Sequence, residues 1–353
     1  MNDRPPFDAA DLRFGVEFEF TDPLTATVPR DAPARYRRAV RRRCEVGLPE
    51  RFRGWLAGGL AVAGGPAGPR TRLFPHRDQR VLEIATEPLS LAEFRRAEGL
   101  LEDVVWAAAR DVGLAPGTDE INRWSMHVNV SWPALAAGGD GQLLLRSIVD
   151  FNDHPELALG ACGGDIRNAP PLAILGDRPR LALAQLVREC AAGPARDDAF
   201  AVAHLLRKRV FRERFVYGSA IHNDFFHAVN VYHVRPGARL KRRYATASPV
   251  RIEIRASYMA PSAAHMLSAL EIIAGRLGYL ARQTTPIACL AAPPPDPPGG
   301  RTFRTRGVQD GVTPEGVAAC WIRYLREAGM HPAPHAPYLV NPDVRAAAGR
   351  LLA

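Results

Sequence analysis

Four separated segments of this 353-residue chain alternate between apolar and polar residues over a full strand length. They are RFGVEFEF (Arg13 to Phe20), RVLEIATEP (Arg80 to Pro88), WSMHVNVSW (Trp124 to Trp132) and VRIEIRAS (Val250 to Ser257). A period of two belongs to a β-strand whose successive side chains point to opposite faces, one of them toward a core. A fifth stretch, HAVNVYHV (227–234), reads as a strand in the same way. Between these strands lie helical patterns rather than a regular β-α-β alternation. Ser90 with Glu93 three residues on forms a capping box, opening a helix through Phe94, Leu101, Val105 and Ala108 to Gly113. Further helices are predicted at 142–152, 180–191, 199–211 and 261–283, with a weaker one at 314–329. The combination predicts an α+β fold built on a mainly antiparallel sheet.

Glycine and proline divide the chain. The stretch AGGLAVAGGPAGPR (57–70) and the stretch GACGGDIRNAPP (160–171) read as loops, and AAPPPDPPGG (291–300) as a linker. The predicted organisation is therefore a main domain over 1–290 with a basic insertion at about 30–75. The Pro-rich linker at 291–300 follows, then a C-terminal helical tail or subdomain at 301–353.

Charge and composition narrow the function. The net charge is +9, and nine arginines stand against three acids between Arg30 and Arg53. Such a segment is either a solvated arginine-rich helix, the plainer reading, or a surface for an anionic partner. Lys208 and Lys241 are the two lysines, and neither follows a glycine, which excludes a P-loop. Five cysteines, Cys44, Cys162, Cys190, Cys289 and Cys320, form no CxxC pair, which argues against a zinc site or a disulfide framework. The most apolar run, HMLSALEIIAGRLGYLA, is interrupted by Glu271 and Arg276, and the N-terminal residues lack the apolar core of a signal peptide. These features point to a cytoplasmic protein with no membrane partner.

The polar faces of the strands carry the functional signal. Glu17 and Glu19 share one face of the first strand, Glu83 lies on the second, His127 and Asn129 on the third, and Arg251, Glu253 and Arg255 on the fourth. Singly, each has an ordinary explanation as the wet side of a sheet or a cross-strand ion pair. Together they are glutamate, histidine and arginine with little else. Glu17, Glu19, Glu83, His127 and Glu253 make an oxygen-rich set with one imidazole, suited to Mg²⁺ or Mn²⁺. Carboxylates gathered on one sheet repel unless cations lie between them. Arg251 and Arg255 beside the last carboxylate suit phosphate oxygens.

Five motifs in this order resemble the carboxylate-amine ligase superfamily of glutamine synthetase and glutamate-cysteine ligase, and its amidoligase branch most closely. They are Gly15-Val16-Glu17-Phe18-Glu19, Glu83-Ile84-Ala85-Thr86-Glu87-Pro88, Met126-His127-Val128-Asn129-Val130, Ala228-Val229-Asn230-Val231 and Arg251-Ile252-Glu253-Ile254-Arg255. The likeness spans about 12–280. It implies a curved antiparallel sheet with helices on its outer face and a glutamine-synthetase-like core that holds ATP and Mg²⁺ or Mn²⁺. The implied reaction is ATP-dependent amide formation between an acid and an amine, small molecules or peptides, through an acyl phosphate.

In that scheme Glu17, Glu19, Glu83, His127 and Glu253 are metal ligands, with Glu87 a further candidate. Glu17, Glu253 and Arg255 are catalytic, and Arg251, Arg255, Arg167, Asn129 and Asn230 bind substrate. Asn129 stands where the family commonly has a second histidine. Two other readings stand beside this one: a guanidino-kinase-like phosphotransferase, and a basic nucleic-acid-binding protein without catalysis, which ranks lowest. Oligomeric assembly is compatible with all three.

Overall fold

The computed structural model describes residues 7–21, 61–63, 71–78, 81–111, 113–116, 125–154, 177–193, 197–211, 215–217, 220–222, 228–237, 250–258, 260–283 and 313–353. Arg167, the arginine-rich segment from Arg30 to Arg53 and the Pro-rich linker lie outside the described residues. The strands are β1 (Arg13–Thr21), β2 (Ala61–Ala63), β3 (Thr71–Asp78), β4 (Val81–Thr86), β5 (Ala115–Pro116), β6 (Ser125–Ser131), β7 (Phe215–Tyr217), β8 (Ala220–His222), β9 (Val229–Asn230) and β10 (Ile252–Tyr258). The helices are α1 (Leu91–Arg96), α2 (Glu98–Leu101), α3 (Ala108–Asp111), α4 (Pro133–Ala136), α5 (Gly141–Asp153), α6 (Asp177–Ala192), α7 (Ala199–Arg209), α8 (Ala263–Arg282), α9 (Pro314–Glu327) and α10 (Pro342–Leu352).

The fold is α+β. One sheet runs β2-β3-β4-β1-β6-β10-β9, with β5 also pairing β1, and every pairing in it is antiparallel. All four strongly alternating segments are therefore adjacent in space, as β4-β1-β6-β10. Phe14, Val16, Phe18 and Phe20 of β1 are completely buried on one face, with Ile84, Met126, Val128, Val130, Ile252 and Ile254 beside them. Each such side chain contributes roughly 1.5–3 kcal/mol by leaving water. Helices cover this face: the Phe18 and Trp106 rings meet edge-on at 4.8 Å, and the Trp106 indole N–H donates to the Ala260 carbonyl at 2.7 Å.

The helix opened by Ser90 has both halves of its capping box, but it is not one continuous α-helix. It breaks at Ala97 and passes through a π-helical turn at Glu102–Ala107, which carries Trp106 toward the sheet. Two expectations fail at strands. Ala61–Ala63, within the stretch read as loop, forms an edge strand. Among the described residues of segment 227–234, which begin at 228, the strand is confined to Val229–Asn230, and a turn follows in which the Val234 N–H donates to the Val231 carbonyl at 3.0 Å. Strand β3 carries Pro75 in its middle, opposite Ile84, which hides it from a strand pattern.

The C-terminal helices share the apolar core: Val317, Trp321, Tyr324, Leu325, Val344 and Ala348 are buried within it. A charged hub ties them to the sheet-covering helices. Arg276 of α8 donates from Nε and Nη2 to Asp150 of α5, at 3.0 and 2.6 Å, and from Nη1 to the Tyr324 carbonyl of α9 at 3.0 Å. The Tyr324 hydroxyl donates to Asp150 at 2.7 Å, and the guanidinium stacks 3.8 Å over the Tyr324 ring. No described helix is long and apolar enough to cross a membrane.

Candidate metal centre

The register of the sheet brings the polar side chains together. Glu17 lies directly opposite His127, Glu19 opposite Glu83, and Gly15 opposite Asn129, which in turn faces Glu253 and then Asn230. Residues directly opposite in an antiparallel pair share a face. All of these groups therefore project from the side of the sheet away from the phenylalanines. This side is not bathed in water. Glu19 is 4%, Glu83 6%, His127 5% and Glu253 7% exposed, which rules out the solvated-face reading for these four.

Local structure aims each side chain. The β1–β4 ladder is interrupted after Glu17 and Ala85, where the Thr86 hydroxyl accepts the Val16 N–H at 3.0 Å, and pairing resumes between Phe14 and Leu89. Between Ile254 and Ser257 strand β10 holds one residue more than β6, so Arg255 and Ala256 together face His127. A bulge of this kind re-aims a side chain. Here it accompanies a guanidinium turned onto the neighbouring carboxylate: Arg255 Nη1 donates to Glu253 Oε1 at 2.6 Å.

Around these strands a connected network forms. His127 Nδ1 lies 3.2 Å from Glu17 Oε2 and 3.6 Å from Glu253 Oε1, and its Nε2 lies 3.9 Å from Glu19 Oε1. Asn129 donates to Glu17 Oε1 at 3.0 Å and accepts from Arg251 Nε at 2.7 Å. Asn230 donates to Glu253 Oε2 at 2.7 Å and accepts the Tyr232 N–H at 3.2 Å. Each asparagine thus has both ends of its amide engaged, one end on a carboxylate. That arrangement positions Glu17 and Glu253.

The electrostatics follow from the contacts. Burial works to raise the pKa of Glu17, but the hydrogen bond and charge of His127, with Arg251 and Asn129, lower it to about 2. Burial acts the same way on Glu253, where Arg255 and then His127 outweigh it and hold the pKa below the usual carboxylate value. Burial and Arg255 press the His127 pKa down, yet Glu19, the Glu17 hydrogen bond and Glu253 prevail and raise it.

Glu17, His127 and Glu253 each offer a ligand atom within 4.8 Å of the others. The donor set, carboxylate oxygens with one imidazole, fits a divalent cation of the Mg²⁺ or Mn²⁺ type. A second observation agrees: His127 Nε2 is buried and makes no hydrogen bond among the described residues. A buried nitrogen without a hydrogen bond is costly unless a ligand completes it, and this one faces Glu19.

Of the residues singled out from sequence, Glu17, Glu19, His127, Asn129, Asn230, Arg251, Glu253 and Arg255 belong to this network. Glu83 stands in register with Glu19 at its edge, and half-buried Glu87 lies beyond the end of β4. The strand alternation does not single out His233. Burial first, then the charge of Arg251, lowers its pKa to about 4 against the pull of Glu253 and Glu17, so it lies within the field of the cluster. As a continued strand, residue 233 would fall on the apolar face. The Pro236-Gly237 pair just beyond, with Gly237 at φ +64°, was the available sign of a turn. No family model and no curated protein sequence matches this chain.

Proposed function

We propose that this protein is an ATP-dependent carboxylate-amine ligase, with Mg²⁺ or Mn²⁺ held by Glu17, His127 and Glu253 on the polar face of a glutamine-synthetase-like sheet. The observation that carries the reading is the convergence of carboxylates from β1 and β10 on His127 of the intervening β6, with Glu17 and Glu253 at its Nδ1 and Glu19 facing its Nε2, which is buried and makes no hydrogen bond among the described residues. The order of the five motifs along the chain supports the choice of ligase over other metal-dependent chemistry.

In this reading the cation screens phosphate charge and draws density from the phosphoryl group. The residues of the chain do the rest. Glu17 and Glu253 supply ligand oxygens, kept ionised by their neighbours. Asn129 and Asn230 fix the orientation of those two carboxylates. Arg251 and Arg255 present guanidinium groups to anionic oxygens, with the planar geometry that phosphate and carboxylate accept. Glu19 and Glu83 add negative charge at one edge, where further cations would be drawn. Positioning and electrostatic stabilisation of this kind supply most of the catalysis in phosphoryl transfer.

The test is a screen for ADP release over paired acids and amines with Mg²⁺ or Mn²⁺, run beside Glu17→Gln. The expected result is metal-dependent release of ADP with free phosphate, lost in Glu17→Gln. Undiminished activity in that variant overturns the assignment of Glu17. A phosphorylated acceptor in place of free phosphate replaces the ligase with a guanidino-kinase-type phosphotransferase.

A further inference from the structure

Glu17 and Glu253 are each bound at one oxygen by the amide of an asparagine. Asn129 donates to Glu17 Oε1 at 3.0 Å, and Asn230 donates to Glu253 Oε2 at 2.7 Å. The other oxygen of each lies toward His127 Nδ1, Glu17 Oε2 at 3.2 Å and Glu253 Oε1 at 3.6 Å. Neither amide is free to turn over. Asn129 Oδ1 accepts from Arg251 Nε at 2.7 Å and Asn230 Oδ1 accepts the Tyr232 N–H at 3.2 Å, and both of these groups only donate. The donor end of each amide is therefore committed to its carboxylate. Both asparagines also stand on paired strands, Asn129 between Gly15 and Glu253 and Asn230 opposite Glu253, so the sheet fixes where each amide sits.

We infer that Asn129 and Asn230 set the ion preference of this centre: each holds its carboxylate to ligation through one oxygen, which favours a small octahedral cation over Ca²⁺. The inference rests on the metal reading above and adds to it the residues that discriminate between ions. A carboxylate that chelates an ion turns both oxygens toward it. Glu17 and Glu253 do so only by drawing one oxygen off its amide, which leaves a buried N–H without an acceptor. Ca²⁺ binds about six to eight oxygens and readily takes both from one carboxylate, whereas Mg²⁺ demands near-ideal octahedral geometry and keeps several waters. One oxygen from each glutamate and a His127 nitrogen supply three ligand atoms, which suits an ion that fills the rest of its shell with water or substrate oxygens. The bond from Arg255 to Glu253 Oε1 does not alter that number, because an ionised carboxylate oxygen has a second lone-pair site.

The probe is Mn²⁺ bound to the full chain, followed by electron paramagnetic resonance and displaced by Mg²⁺ or by Ca²⁺. From the unmodified protein, Mg²⁺ should displace Mn²⁺ at a lower concentration than Ca²⁺ does. In Asn129→Ala and Asn230→Ala the released carboxylate can chelate, and the ratio of Ca²⁺ to Mg²⁺ affinity should rise about tenfold, a size usual when the group behind a metal ligand is removed. Asparagines that merely held the site together would weaken both ions alike and leave the ratio where it was. Circular dichroism confirms that the variants are folded, and the comparison on the unmodified protein stands whether or not they are. An unchanged ratio in the folded variants, or Ca²⁺ displacing Mn²⁺ more readily than Mg²⁺ from the unmodified protein, overturns this inference and leaves the metal centre standing. No Mn²⁺ binding to the unmodified protein overturns both.

Discussion

Asp150 and Glu253 are both buried carboxylates with a guanidinium nitrogen at 2.6 Å, but their surroundings differ. Asp150 faces Arg276, which bonds it through two nitrogens, and the Tyr324 hydroxyl completes it; His154 Nε2 lies 3.8 Å away and the second acid of the hub, Glu327, is partly exposed. Glu253 lies among Glu17, Glu19 and Glu83, with Arg255 and Arg251 as the guanidinium groups of the network and a histidine nitrogen that has no hydrogen bond among the described residues. The hydrogen bonds of Arg276 and Tyr324 close the first assembly. Among the described residues the second gathers four carboxylates with two arginines, and its His127 Nε2 makes no hydrogen bond. Burying charge costs several kcal/mol per ion unless partners compensate. A hub closed by hydrogen bonds answers that cost within the chain, whereas a cluster of acids gains from a bound cation in the proposed reading.

The largest effect expected from this contrast is on stability. Asp150→Ala leaves Arg276 buried without its acid and should cost about 3–5 kcal/mol in denaturant unfolding. Glu17→Gln keeps the shape of the side chain and an acceptor for Asn129 but gives up a charge that His127 and Arg251 favour, and should cost about 1–3 kcal/mol, less than Asp150→Ala. Equal losses from the two substitutions would erase the distinction between hub and site.

A second effect separates them by ligand. Mn²⁺ at about 100 times its dissociation constant should stabilise the unmodified protein by about 2.7 kcal/mol, read as a rise in melting temperature. Glu17→Gln should lose that rise and Tyr324→Phe should keep it. A rise retained in Glu17→Gln would place the cation elsewhere.

The smallest effect is a control at a site outside both assemblies. The Ser90 backbone N–H and then its hydroxyl bond Glu93 and hold its pKa below the usual carboxylate value. A pKa lowered by folding gives stability that is full above the unfolded value and is lost as the pH falls through the folded one. Ser90→Ala should therefore cost about 1 kcal/mol at neutral pH, and the penalty should shrink on acidification below the carboxylate range. A penalty independent of pH would assign the cap to the serine alone.

The candidate site was legible from sequence to an unusual degree, because a strand encodes its faces in a two-residue period. Glu17 and Glu19 had to project together, as did His127 and Asn129, once β1 and β6 were recognised. His233 was not legible, since its placement depends on where β9 stops, and the alternating letters of 229–234 run past that point. The bulge that accompanies the turn of Arg255 onto Glu253 was equally silent: one extra residue in a pairing leaves no mark on either strand alone. The partnership of Arg276 with Asp150 joins positions 126 residues apart and has no local signature.

What the sequence by itself determined is the two-sidedness of the strands, the Ser90 cap and the long helix α8, all set by periodicity and by hydrogen bonds between near neighbours. What only the tertiary structure decided is which strands lie side by side, in which register, and therefore which acids meet around His127. Those choices come from packing the phenylalanine face under the helices. Burial on that side fixes the register, and the register carries the charged groups on the other side into one place.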